Sequence, residues 1–155
     1  MSKKPIEIYF PIQDVNKIAE KEAIAKRHYR PIYTMHKWWA RRLGCVFRTI
    51  ILYTLIDNNT KIYNKLNRKW MNIEKIPTPN RIWKKYYLSD IDFDGKVILD
   101  PFFGGGTTIV EALRMGCNVI GKELNPVAWF ITKKEVEPIS LKKLDEAFNN
   151  LKNDL

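Results

Sequence analysis

Apolar and polar positions divide the chain at about Leu88. Before that point apolar residues recur at helical spacing; after it they form short unbroken runs. The stretch "DVNKIAEKEAIAKR" (14–27) predicts a short helix with Asp14 as its N-cap. "HYRPIYTM" interrupts it, because Pro31 disfavours helical backbone at Arg30. A longer helix is predicted from about His36 to Ile56. At roughly 100° per residue, Trp39, Leu43, Val46, Phe47, Ile50 and Ile51 gather on one side of it. Lys37, Arg41 and Arg48 fall within roughly 40° of one another on the opposite side. One face is expected to pack, the other to meet negative charge or water. Residues 57–94 carry Asn and Lys runs with Pro77 and Pro79, and predict an irregular or partly helical insertion.

From Lys96 the pattern becomes that of alternating strands and helices. "KVILD" is an apolar run of the buried parallel-strand kind. A glycine loop follows, then the helical "TTIVEALRM", closed by Gly116 as a left-handed C-terminal cap. "CNVIGKE" predicts a second strand. Asn125 is the expected N-cap of a helix with Pro126 in its first turn, "PVAWFITKKE". "EVEPI" is a candidate third strand, and Ser140 is placed to cap a last amphipathic helix, "LKKLDEAFNNLKND". The order predicts an α/β fold, an incomplete Rossmann-like sheet preceded by a helical, basic N-terminal segment. Three stretches, 1–56, 57–94 and 95–155, would together form one incomplete domain. Two clear strands are fewer than such a sheet normally holds.

The 155 residues suffice for one domain with its own core. A net charge of +10 suits polyanionic partners, nucleic acid first and an anionic membrane surface second. A solvated lysine-rich surface is the other source of such a charge. Between Ala23 and Ile56 there is no acidic residue, yet seven Lys and Arg side chains occur. Residues 61–85 interleave basic residues with Tyr63, Trp70 and Trp83, a composition suited equally to DNA contact and to a charged loop over a small subcore. Cys45 and Cys117 belong to no CxxC pair, which argues against a disulfide framework or a zinc site. No run of about eighteen apolar residues occurs and "MSKKPIEIYF" lacks a signal-peptide core, so a soluble, cytoplasmic, nucleoid-associated protein is expected.

The chemistry concentrates in "DPFFGGGTTIVEALRMGCNVIGKELNP" (100–126). A triphosphate loop would need GxxxxGK[ST], and no lysine follows these glycines. A dinucleotide loop would need GxGxxG, but Ile109 stands at the third glycine position. Asp100, at the end of the first strand, would repel a pyrophosphate and suits an ammonium group instead. Glu123, at the end of the second, is placed for ribose hydroxyls. S-adenosylmethionine meets these demands: an amino-acid head, a sulfonium, a ribose and no phosphate. A tight structural turn is the bland alternative.

"DPFFGGGTT" resembles the cofactor loop of the DNA amino-methyltransferases, whose usual form is Asp-Pro-Phe-x-Gly-Ser-Gly-Thr-Thr; Gly105 stands in place of the serine. "GKELNP" is similar to their following acidic motif. "RPIYTMHKWWARR", taken with this loop, resembles the start of a family of adenine-specific DNA methylases. The resemblance implies S-adenosylmethionine held by Asp100, Pro101, Phe102, Gly104, Gly106, Thr107, Glu123, Leu124 and Asn125, with His36, Lys37 and Trp38 as candidates at its methionine end. DNA is the implied substrate, at adenine N6 first and cytosine N4 second, in a restriction–modification setting. The catalytic [Asp/Asn/Ser]-Pro-Pro-[Tyr/Phe/Trp] motif of that group is absent, since the chain contains no Pro-Pro. The expectation is therefore a cofactor-binding part, completed by a second polypeptide or a C-terminal region carrying the catalytic motif. A basic DNA-binding module or inactive remnant is the alternative.

Overall fold

The computed structural model describes residues 3–8, 10–24, 31–56, 61–64, 69–72, 89–90 and 92–153. Its elements are helices α1 (Pro5–Ile8) and α2 (Ile12–Ile24), a 3-10 turn (Pro31–Thr34) and helix α3 (Gly44–Leu55). Strands β1 (Lys61–Asn64), β2 (Lys69–Asn72) and β3 (Ser89–Asp90) follow. The last stretch holds β4 (Val97–Asp100), α4 (Thr107–Arg114), β5 (Asn118–Gly121), α5 (Pro126–Val136) and α6 (Leu141–Asn153). No helix among the described residues is long and apolar enough to cross a membrane.

β4 and β5 pair in parallel, Val97 with Asn118 through Asp100 with Gly121, joined through α4. The arrangement is an α/β unit. Chain turns meet its expected chemistry: Gly116 closes α4 with a φ of +76°, and the Asn125 side chain accepts from the Val127 amide at 2.9 Å. The Ser140 hydroxyl accepts from the Lys143 amide at the start of α6.

The core is shared by both halves of the chain. Ile18, Cys45, Ile51, Leu52 and Tyr53 come from α2 and α3; Ala112, Met115 and Cys117 come from α4 and the turn after it. α3 packs against α1, α2 and α4. Both thiols are buried within this cluster.

Four expectations are corrected. The predicted 36–56 helix begins only at Gly44, because the Glu22 carboxylate of α2 accepts from the Gly44 and Cys45 amides, both at 2.9 Å. A buried acid from another helix thus supplies the cap. The helix before it runs over Ile12–Ile24, with Asp14 in its first turn instead of capping it. "EVEPI" is no strand: Glu135 and Val136 finish α5, and Glu137 closes it by donating to the Lys133 carbonyl. The insertion, expected irregular or partly helical, contains an antiparallel sheet in the order β2-β1-β3. The remaining residues of 57–91 lie outside the described set.

Of the basic row, Arg41 and Arg48 meet negative charge, as expected, but inside the molecule. Arg48 is only 2 % exposed, and its guanidinium faces the buried Glu111 carboxylate of α4 at 3.7 Å. The buried positions include Cys45, Arg48, Thr49 and Leu52, a stripe that overlaps the basic side, together with Ile51 of the apolar side.

Candidate cofactor site at the glycine loop

Asp100 and Gly121 are register partners at the carboxyl ends of β4 and β5, and the Lys122 amide donates to the Asp100 carbonyl at 2.9 Å. The two acids singled out by sequence therefore sit at adjacent strand ends, Glu123 two positions beyond the last pair. Ligands of parallel α/β sheets bind in this position. The Asp100 carboxylate turns onto the following loop, accepting from the Phe102 amide at 3.0 Å.

Glu123 ties the two strand ends together. One carboxylate oxygen accepts from the Gly104 amide at 2.7 Å, the other from the amides of Leu124 and Asn125 at 2.9 and 3.0 Å. The Asn125 amide, then that of Gly104, hold its carboxyl below the ordinary carboxylate range against the opposing effect of burial, with a lesser contribution from the Leu124 amide. Glu123 is a charged acceptor at neutral pH.

Gly104 and Gly106 have φ of +52° and +78°, a backbone that a side chain would strain. Gly106 is the N-cap of α4. Gly105 has a different reason for being glycine. A β-carbon there would meet the Trp38 indole at 2.8 Å and the Trp38 β-carbon at 3.2 Å. Trp38 thus lies across the loop. Phe102 (74 % exposed) and Leu124 (89 % exposed) flank the two acids with open apolar surface. Pro101 and Asn125 are exposed as well, while Thr107 is buried with its hydroxyl donating to the Arg42 carbonyl at 3.2 Å.

The segment 35–43 is held down onto this loop. Arg41 forms a two-pronged pair with Glu135 of α5, at 2.6 and 3.1 Å, and its guanidinium lies 5.0 Å from the Tyr33 ring centroid. The Tyr33 hydroxyl in turn donates to Glu111 at 2.7 Å. Burial pushes the Glu135 carboxyl up, and Arg41 and the His36 charge oppose it. His36 lines a cavity of about 370 Å³ together with Tyr33, Trp38, Trp39, Arg41 and Arg42. Asp100, Gly104, Gly106 and Glu123 do not line that cavity. Trp38 is the side chain common to both places. Sequence reasoning missed Glu22, Glu111 and Glu135; an acid embedded in the apolar run "TTIVEALR" was the visible signal for one of them. Among the described residues no group of His, Cys, Asp and Glu could hold a metal ion.

A family model described as "Protein of unknown function (DUF1156)" matches residues 9–76. Type II methyltransferase M.MvaI of Kocuria varians is 39 % identical over 56 residues, covering 36 % of this chain and 12 % of that protein. Type II methyltransferase M.MjaII of Methanocaldococcus jannaschii is 32 % identical over 69 residues, 44 % of this chain and 13 % of its own length. The chain is related to DNA methyltransferases over part of its length. A third such relative, M.BsoBI of Geobacillus stearothermophilus, is 37 % identical over 59 residues, 37 % of this chain and 12 % of its own. This methyltransferase-related chain thus matches about an eighth of the length of these curated relatives. No solved structure matches it.

Proposed function

We propose that this chain is the S-adenosylmethionine-binding part of a DNA amino-methyltransferase of Rossmann-like type, acting on adenine N6 in preference to cytosine N4. One observation carries the reading: two carboxylates at neighbouring parallel strand ends frame a glycine turn whose own sequence holds no lysine or arginine. Glu123, kept ionised by backbone amides, would accept the ribose hydroxyls. Asp100 would face the ammonium head. Phe102 and Leu124 are the exposed apolar surfaces against which the adenine would lie, with Pro101 and Asn125 at the rim. Gly104 and Gly106 let the backbone approach the methionine part, and Thr107 positions the start of α4. His36 and Trp38 would close that end from above, with Lys37 beside them. The cofactor supplies the methyl group; these side chains bind and orient it.

The acceptor amine needs the [Asp/Asn/Ser]-Pro-Pro-[Tyr/Phe/Trp] motif, and no Pro-Pro occurs in this sequence. A further polypeptide region would supply it, and the chain by itself would bind cofactor without methylating DNA.

Calorimetry with S-adenosylmethionine tests the reading. The wild-type chain is expected to bind, and Asp100→Ala and Glu123→Ala each to lose about 10- to 100-fold in affinity, as for hydrogen bonds to a charged group. No binding by the wild type would favour an inactive remnant instead, and labelled methyl transfer to DNA by the pure chain would overturn the separation of binding from catalysis.

A further inference from the structure

The two tryptophans of "HKWWARR" have opposite fates. Trp38 is half-buried on the glycine loop, whereas Trp39 is 86 % exposed. An indole left almost wholly in water forgoes the burial that is a tryptophan's main contribution to stability. Its surroundings are specific. The Lys37 ammonium sits 3.8 Å from the Trp39 ring centroid. Arg42 is exposed three residues further on, while its carbonyl is fixed by the Thr107 hydroxyl at the start of α4.

The neighbouring cations are accounted for differently. Arg41 is paired with Glu135 and Arg48 with Glu111, both in the interior. Among the described residues of this acid-free stretch, Lys37 and Arg42 are the cations whose positions are open to solvent, one on each side of the exposed indole in sequence. An exposed aromatic face with exposed cations two residues before and three residues after it can take a base by stacking and its flanking phosphates by charge. The turn carrying it is held to the loop by Trp38, to α5 by Arg41 and to α4 by the Arg42 carbonyl. A base resting there would be held next to the proposed cofactor site.

We propose that Trp39, Lys37 and Arg42 form a docking platform for a DNA strand, with an unpaired base stacked on the Trp39 indole and phosphates on the two cations. This rests on DNA being the partner, as in the proposed function, but places the contact on the 37–42 turn and not on the basic insertion.

The test is binding of a short fluorescein-labelled single-stranded DNA to the full chain at several salt concentrations. Trp39→Ala is expected to weaken binding about tenfold, the loss of one stacked base, without changing the salt slope. Trp39→Phe should stay within about threefold of wild type, because a smaller aromatic face remains. The double substitution Lys37→Ala with Arg42→Ala should instead lower the slope of log K against log salt by about 1.4, for two phosphates at about 0.7 each. Wild-type-like binding by Trp39→Ala, an equal loss in Trp39→Phe, or an RNA of the same sequence bound much more tightly than the DNA would each overturn the platform. If the wild type binds DNA and Trp39→Ala binds equally well, the platform alone fails. If the wild type binds no DNA, the platform and the DNA part of the proposed function fail together, while calorimetry with S-adenosylmethionine tests the glycine loop independently.

Discussion

A β-carbon on Gly105 would come within 2.8 Å of the Trp38 indole and 3.2 Å of its β-carbon, so the serine of the resembled motif does not fit beneath this turn. The 2.8 Å contact is to the indole, which would have to shift from its place on the loop, and the 3.2 Å contact to the Trp38 β-carbon stays in any rotamer. Gly105→Ser is expected to lower the thermal midpoint by about 5 °C, the cost of overpacking one close contact in a domain of this size. Combining it with Trp38→Ala should regain part of that loss, and scanning calorimetry of the four proteins reads the coupling. The loop itself was legible in the sequence, because glycines, acids and caps such as Asn125 act on backbone within a few positions of themselves. The reason for Gly105 was not legible, since its partner arrives from a distant part of the chain.

Helix α3 shows the limit of periodicity more sharply. Helical spacing places Lys37, Arg41 and Arg48 together, on a side expected to meet negative charge or water, without saying which. The row is not even on one helix, since residues 36–43 precede α3, whose first amides are capped by Glu22. Arg48 points inward because Glu111, buried on α4, offers it a counter-charge. That pairing crosses two elements, and no local spacing encodes it. Arg48→Leu should therefore cost about 3–5 kcal/mol by leaving Glu111 charged and buried, measurable by urea denaturation. Adding Glu111→Leu should recover much of it, although the Tyr33 hydroxyl then loses its acceptor. The strands β4 and β5 were legible as short apolar runs, yet only one face of them is covered: Leu99 is 62 % and Ile120 54 % exposed. Both faces of a parallel sheet are ordinarily buried, which is why those runs read as interior.

At the level of the whole molecule, α/β organisation and basic character were readable from the chain, whereas the antiparallel sheet β2-β1-β3 was not, its strands being interrupted by the lysines and asparagines that argue for a loop. The net charge of +10 also does not map simply onto a DNA-facing surface, because two arginines of the most basic stretch are paired inside. Ile18, Cys45, Ile51, Leu52 and Tyr53 pack with Ala112, Met115 and Cys117, and Arg41 reaches Glu135, so each side of the 57–91 stretch completes the other's interior. Two separately expressed pieces, 1–56 and 92–155, are accordingly expected to find each other and copurify, and replacing Arg48 with leucine in the first piece should reduce that recovery. Such complementation would make the intervening stretch an exchangeable cassette: sequences of quite different length could be grafted there, altering what the molecule touches while its two interlocking partners keep hold of one another.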